Sequence, residues 1–514
     1  MSHWIAFLVL LPALVGPFIV LAARYHMGIQ RVMSVASIIG LIALSLGLAW
    51  QASDGTVTLY QMGDWAAPFG IVLVADRLST LMVLLTSVLA LFVVLYAIGS
   101  KWDERGRHFH ALFQFQLMGI LGAFLTGDLF NLFVFFEILL IASYGLMIHA
   151  GGDTRLRAGV QYVLFNLLGS TLFLFALGAI YAETGTLNMA DLAQRATLVD
   201  SAETVGIRLA AVLLLLVFAI KAALVPLHFW LPSSYSEAPG PVAALFAIMT
   251  KVGAYAIIRV YTMVFPPELE ATMGLYGMWL LPAALVSLAI GMIGVLGARK
   301  LDRLVAFSVV GSMGMVMVTI ALFSEDGIAA ALYYIVHSTL AAATLFLLVD
   351  MVRSSRAHLE LTPAPPIAGA ALIASMFMVG AIAMAGLPPL SGFIGKLLLL
   401  QAAFASPLWG WVFGVVLVSS LIGVVGFARA GSMVFWKAQA TERPEGEESP
   451  AAPSALSFVA VGGLIAMLTA HTVFAGYAHD YTRATAAQLF APEPYISTVI
   501  DTPGKLSKPK EEAK

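Results

Sequence analysis

The sequence predicts an all-α polytopic membrane protein of about 14 transmembrane helices, with an inverted repeat of helices 4–8 and 9–13 and discontinuous helices 7 and 12. Three observations lead there. Of 514 residues, 60% are hydrophobic and 11% charged, with a mean hydropathy of +0.93. The apolar residues gather in blocks of about 20, the length that spans a bilayer as a helix. Basic residues concentrate in alternate loops, as they do in multi-pass proteins.

Composition also excludes classes. With 27 Lys+Arg against 29 Asp+Glu there is no basic surface for nucleic acid, and a chain this apolar is not a soluble enzyme. Cys is absent, so disulfides, thiolate metal sites and iron–sulfur clusters are excluded for this chain. No Gly-rich phosphate loop of the Walker type is present. The few interior acids form no metal cage, and one interior histidine is too little for haem, so neither a metal nor another cofactor is expected.

The first apolar run, 4–24, reads as a retained span. No basic residue precedes it, no small-residue cleavage site follows, and Arg24 lies after it. Further spans follow at about 30–50, 77–100, 109–126, 129–149, 158–182, 207–225, 240–262, 271–298, 304–323, 327–349, 366–385, 409–436 and 455–478. The seventh and twelfth run into Pro/Gly-rich stretches, Leu224–Pro232 and Gly386–Gly392, and then continue as short helical pieces. Proline removes a backbone donor and breaks the ladder, and irregular backbone at membrane depth survives only where protein or a wet cavity satisfies it. The long polar segments are 51–76, 183–206, the acidic, Pro-rich 441–454 and a tail over 481–514 that ends Lys-rich and solvated. The chain divides into N-terminal helices (1–108), a first repeat (109–262), a second repeat (263–437), a loop and last helix (438–480) and the polar tail (481–514).

Alternate loops hold Arg24 and Arg31; Lys101, Arg105 and Arg107; Arg155 and Arg157; Arg299, Lys300 and Arg303; Arg353 and Arg356; Lys437 and Arg443. The opposite loops hold Arg77, Arg195 and Arg208 beside acids such as Asp54, Asp64, Asp191, Asp200, Glu203, Glu268 and Glu325. The first set marks the cytoplasmic face, which puts both termini outside, periplasmic in a bacterial inner membrane.

A charge at mid-bilayer costs at least about 2.5–3.5 kcal/mol, so an interior ionisable residue points to function first. Glu137 is the acid near the middle of a span; Lys221, Lys251 and Lys396 are its basic counterparts, and His337 is also mid-span. Lys221 precedes the first break and Lys396 follows the second. Burial favours the neutral amine and a nearby carboxylate the charged one, so a lysine that gains and loses such a partner changes its proton affinity. That makes Glu137, Lys221, Lys251, His337 and Lys396 candidates for a proton pathway. The structural alternatives are a static ion pair and an interior imidazole held by hydrogen bonds. His228, at the first break, is an auxiliary candidate or a packing residue, and Arg259 is placed to snorkel from the end of its span. The breaks lie five spans apart, an odd offset that reverses direction through the membrane, as an inverted repeat requires.

The stretch Phe218–Val242, with Lys221, Pro226, His228, Trp230, Pro232 and the Ala-Pro-Gly-Pro run over 238–241, resembles the signature of the proton-translocating antiporter-like membrane subunits. These occur in respiratory complex I, membrane-bound hydrogenases and multi-subunit Mrp-type antiporters. Asp128–Glu137, Leu304–Ser308 and Gly386–Lys396 also match, and the resemblance covers roughly residues 70–440. Asn188-Met-Ala after Gly185-Thr-Leu, with Val336-His-Ser-Thr339, is most similar to the D-type branch of the Mrp subunits as found in Gram-negative bacteria. The resemblance implies that Glu137 is the essential glutamate of the fifth helix, Lys221 its partner, Lys251 the central relay and Lys396 the terminal lysine. Where relatives often carry a Lys and a His, this chain has Ala342 and Ser312, so water, His337 and the hydroxyls of Ser308, Ser312, Ser338 or Thr339 are left to bridge Lys251 and Lys396. The implied activity is exchange of H⁺ for Na⁺ (or K⁺, Li⁺) in a complex with other membrane subunits in the lipid bilayer, a secondary transporter and not an enzyme. The alternative is the proton-pumping membrane subunit of a redox complex driven by quinone reduction.

Overall fold

A computed structural model describes residues 2–199, 204–356, 358–441 and 452–504. Asp200, Glu203, Arg443, most of the acidic 441–454 segment and the Lys-rich end lie outside the described residues. Nineteen helices account for nearly all of it: α1 (Ser2–Ala22), α2 (Met27–Ala52), α3 (Arg77–Gly99), α4 (Phe109–Leu125), α5 (Leu129–Met147), α6 (Asp153–Thr184), α7 (Met189–Ala196), α8 (Val205–Lys221), α9 (Trp230–Glu237), α10 (Gly240–Met263), α11 (Leu280–Gly297), α12 (Leu301–Ile320), α13 (Glu325–Ser355), α14 (Ala370–Ala385), α15 (Ser391–Ala403), α16 (Trp409–Gly431), α17 (Ala455–Val473), α18 (Ala475–Phe490) and α19 (Glu493–Ile500).

Eleven helices are long and apolar enough to cross a bilayer alone. The 17-residue α4 adds one span to these eleven, and the two broken spans are α8 with α9 and α14 with α15. The fourteen expected spans are therefore present. Helix starts follow capping chemistry: Asp76 accepts from the Ser79 amide and the Ser79 hydroxyl takes the Asp76 amide (2.9 Å each), while Asp128, Asn188, Ser324 and Ser454 cap α5, α7, α13 and α17.

The core is α10, α12 and α13. Every residue of α10 is buried, and α12 and α13 are nearly so. The outer spans α1, α2, α6, α16 and α17 turn most of their apolar surface outward, with Leu21 and Trp50 each 84% exposed. That surface is what a bilayer covers. Breaks at 222–229 and 386–390 put irregular backbone against this core: α9 packs on α12 and α6, and α15 on α13.

The inverted repeat shows in the backbone. Leu129 N–H bonds the Leu187 carbonyl (2.8 Å) and Met189 N–H the Gly127 carbonyl (2.9 Å), joining the start of α5 to the segment after α6. Leu301 N–H bonds Leu359 O (2.9 Å) and Leu361 N–H bonds Arg299 O (2.8 Å), joining the start of α12 to the segment after α13. Each residue of the second bridge follows its counterpart by 172 positions (301 less 129, 359 less 187), and the two bridges sit at opposite ends of the bundle.

Three differences from the expected layout have physical reasons. The 51–76 insertion carries a two-stranded antiparallel hairpin, β1 (Thr58–Gln61) and β2 (Val72–Ala75), whose edge pairs with Thr126. The 183–206 segment contains α7. Residues 481–504 do not run as a free polar tail: α18 and α19 bury Thr485, Ala486, Tyr495 and Val499, with α18 lying against α13 and α10. A helix with only a narrow apolar stripe leaves no long hydrophobic run to read.

Close packing gives a test. A Cβ on Gly291 of α11 would overlap the backbone of Gly311 in α12, whereas one on Gly178 of α6 meets nothing within 4 Å. Gly291→Ala should cost about 1–3 kcal/mol and lower the thermal midpoint of the detergent-solubilised protein. Gly178→Ala should leave it unchanged or slightly raised.

Candidate functional site

The site is assembled around the two breaks. Glu137 projects from α5 and accepts a short hydrogen bond from the Ser170 hydroxyl of α6. Lys221 is the last residue of α8, at the end where helix carbonyls lose their partners and favour a cation. Its Nζ is buried and has no hydrogen-bond partner. A cavity of about 20 Å³ beside it is lined by Asn166, Ser170, Leu140 and Ile220, room for about one water molecule. Glu137 is the carboxylate whose charge reaches Lys221, yet the two form no ion pair within 4.0 Å. Ser170, which holds the acid, lines the cavity beside Lys221.

The backbone around the break is satisfied locally. Trp230 Nε1 bonds the Ile220 carbonyl (3.0 Å), and the Ser287 hydroxyl of α11 accepts from the Val225 amide (2.8 Å). His228 is buried there with its ring against Phe229 (centroids 4.5 Å), and its Nδ1 has no partner.

Lys251 lies at the middle of α10, fully buried, and its Nζ has no hydrogen-bond partner. Gly253 brings the two amines' helices together: a Cβ there would sit 2.7 Å from the Phe218 carbonyl and 2.8 Å from the Ala222 amide. Only glycine lets α10 seat on the end of α8.

His337 of α13 reaches the second break. Its Nδ1 is 2.8 Å from the Ser391 hydroxyl, and the Ser391 amide bonds Thr472 Oγ1 of α17 (2.9 Å). A Cβ on Gly392 would lie 2.7 Å from its Nε2. Lys396 of α15 folds back over the break, where its Nζ donates to the freed Ala385 carbonyl and to Ser420 Oγ of α16 (2.7 Å). Gly386, at φ +68°, makes this possible, since a Cβ there would lie 2.6 Å from the amine.

The auxiliary hydroxyls are less engaged. Ser308, Ser338 and Thr339 donate to carbonyls of their own helices (2.7, 3.3 and 2.8 Å), and Ser312 faces Tyr334. Ala342 is buried and offers no polar group. Among the described residues, no direct hydrogen bond or ion pair joins any two of Glu137, Lys221, Lys251, His337 and Lys396.

Arg259 corrects an expectation. It does not snorkel: it is 3% exposed and pairs with Asp76 through Nη1 (2.7 Å) and Nη2 (2.8 Å), with Tyr495 of α19 over the guanidinium (5.1 Å). Asp76 had a visible signal, the Asp-x-x-Ser capping box before an apolar run. Its pairing with a residue 183 positions away did not. The supporting hydroxyls Ser170, Ser391 and Ser420 also went unread, since serine is common in helices and only proximity singles these out.

Fourteen spans, an inverted repeat visible in the backbone, and an amine beside each mid-membrane break define a multi-pass membrane protein built around buried ionisable groups. Residues 126–423 match the family described as NADH:quinone oxidoreductase/Mrp antiporter, transmembrane region, and the chain belongs to that family. It is 37% identical to the D-type chain of a probable K(+)/H(+) antiporter of Rhizobium meliloti, covering 98% of this chain and 99% of that one. It is 36% identical to the D-type chain of the Na(+)/H(+) antiporter of Alkalihalophilus pseudofirmus, covering 97% and 100%. A chain in the structure of the Mrp complex from a Dietzia species superposes with a TM-score of 0.88 at 27% identity, over 97% of this chain and 99% of that one.

Removing one member of a buried ion pair strands the other charge. Arg259→Ala should therefore destabilise the protein by about 3–5 kcal/mol, seen as lost yield and a lower unfolding midpoint, and Asp76→Asn in the same chain should recover part of the loss.

Proposed function

We propose that the chain is the proton-translocating subunit of a multi-subunit monovalent cation/proton antiporter in a bacterial inner membrane, carrying H⁺ inward in exchange for Na⁺ or another monovalent cation. The observation that carries this reading is end-to-end similarity to D-type antiporter chains, 36–37% identity over 97–98% of the chain. The relatives' names differ in the cation, so the assay compares Na⁺, K⁺ and Li⁺. The basic loops face the cytoplasm, both termini face the periplasm, and the segments 109–262 and 263–437 act as two half-channels. The chain works with other membrane subunits, a reading supported by its likeness to a chain of the Mrp complex.

In this reading Glu137 and Lys221 form the switch. When the amine swings toward the acid the pair is held as ions. When it swings away, a buried Lys221 gives up its proton, and Lys251 is the next base. His337 and water pass the proton to Lys396 at the second break, with Ser308, Ser312, Ser338 and Thr339 as auxiliary hydroxyls and His228 near the first break. The unbonded amines of Lys221 and Lys251 and the small cavity beside Lys221 support this order, because an amine with no fixed partner is free to change one.

Glu137→Gln should cut cation-dependent proton movement in vesicles by at least about 100-fold, the usual worth of a proton-transferring group, while the complex still assembles. Normal transport would refute the switch. Lys396→Ala should be as severe if protons leave through the second half, and mild if they do not. The optical spectrum and partner masses of the purified complex separate the two family roles: small hydrophobic partners without chromophores fit the antiporter, and flavin or iron–sulfur absorbance would place the chain in a redox complex.

A further inference from the structure

One buried carboxylate has no part in the switch described above. Asp350 sits near the end of α13 that lies among the basic loops. Its Oδ2 accepts from Trp102 Nε1 (2.8 Å) and from the Tyr96 hydroxyl (3.0 Å), both neutral donors. Among the described residues no donor reaches Oδ1. The cations nearby are committed elsewhere: Arg353 holds Asp302 (2.9 Å) and the Ser236 carbonyl (3.1 Å), Arg105 lies over the Trp102 ring (3.9 Å), and Arg155 donates to the Glu237, His149 and Gly151 carbonyls. Lys101 lies on the rim, exposed. Among the described residues, Asp350 is thus a buried acid held by hydrogen bonds without an ion-pair partner.

Cavities flank it. A cleft of about 520 Å³, lined by Ser100, Lys101, Arg105, Ser454 and Asp350, opens on the basic face. On the inner side a cavity of about 10 Å³ is lined by Asp350, Tyr235, Gly240 and Phe346. Gly240 packs directly on the acid: a Cβ there would lie 2.3 Å from the Asp350 Cβ and 2.8 Å from Oδ1. Further in, Tyr235 and Tyr162 both pack on the Phe246 ring (5.5 and 5.8 Å); the Tyr235 hydroxyl donates to the Phe246 carbonyl (2.9 Å), and the Tyr162 hydroxyl meets Ser143 Oγ of α5 (2.9 Å). Tyr162, Asn166 and Ser170 are spaced by four, so they share one face of α6. That face ends on the cavity beside Lys221, where Ser170 holds Glu137.

We infer that Asp350 is the proton port on the basic face, exchanging protons with water of the cleft. The proton moves on and off oxygen and no other bond changes. This rests on the proton-translocating reading above and names where its first half meets the aqueous phase.

Asp350→Asn keeps an oxygen to accept from Tyr96 and Trp102 but cannot take a proton. In the full complex, in inside-out vesicles whose bath meets the basic face, it should slow proton movement at least about tenfold with subunit content unchanged. A small weak acid such as formate in the bath should restore part of the rate. Normal flux in Asp350→Asn, or a loss that weak acid does not relieve at any bath pH, would overturn the port. If Asp350→Asn does not assemble, Trp102→Phe keeps the acid and removes one donor: a displaced bath-pH profile supports the port and an unmoved one refutes it. Glu137→Gln run in parallel separates the two readings. Normal transport in Glu137→Gln removes the underlying switch, whereas an inactive Glu137→Gln beside an unimpaired Asp350→Asn removes the port alone.

Discussion

Lipid offers no hydrogen bonds, so each backbone group exposed by a helix break must find a partner inside the protein. The two breaks could not exist without the side chains gathered on them. Trp230 and Ser287 take up the backbone freed at the first, and Lys396 and Thr472 do so at the second. At the second break irregular backbone and buried charge are one arrangement: the break supplies a carbonyl that accepts an ammonium, and the ammonium makes the open carbonyl tolerable.

The fully buried α10 and its neighbours α12 and α13 form the wall against which this happens. Glycines set the spacing. Gly253 seats α10 on the end of α8, Gly392 leaves room for the His337 ring, and Gly386 admits the Lys396 amine. Each of these close approaches positions a titratable group, so the helix packing and the placement of the buried ionisable side chains are fixed by the same few residues. The Arg259–Asp76 pair, far from the breaks, anchors the other end of α10 to the start of α3 and beneath Tyr495.

Much of this is legible in the order of residues alone. Hydropathy and proline place the spans and both breaks, because a membrane helix must be long and apolar and proline cannot continue it. Glu137 and the three lysines stand out because charge in an apolar run is costly. Short amphipathic pieces such as α7, α18 and α19 are illegible, since their apolar stripes are too narrow to register as runs. So are partner choices: nothing in a serine at 170 or 420 announces that it meets Glu137 or Lys396. Arg259 misleads because distance to the end of a span, counted along the chain, says nothing about an acid on another helix. Asp350 escapes notice because it lies near the end of its span, where a charge looks inexpensive.

The paired β-bridges, identical in pattern and 172 positions apart, show two halves drawn to one plan and set head to tail. The plan is not filled in the same way twice. One half leaves its amine unclaimed before the break; the other ties its amine down after it, and where the first half has Glu137 the same offset brings the second to Val309. Duplication gave this chain symmetry of framework, and the side chains then broke it, so that each half is free to specialise.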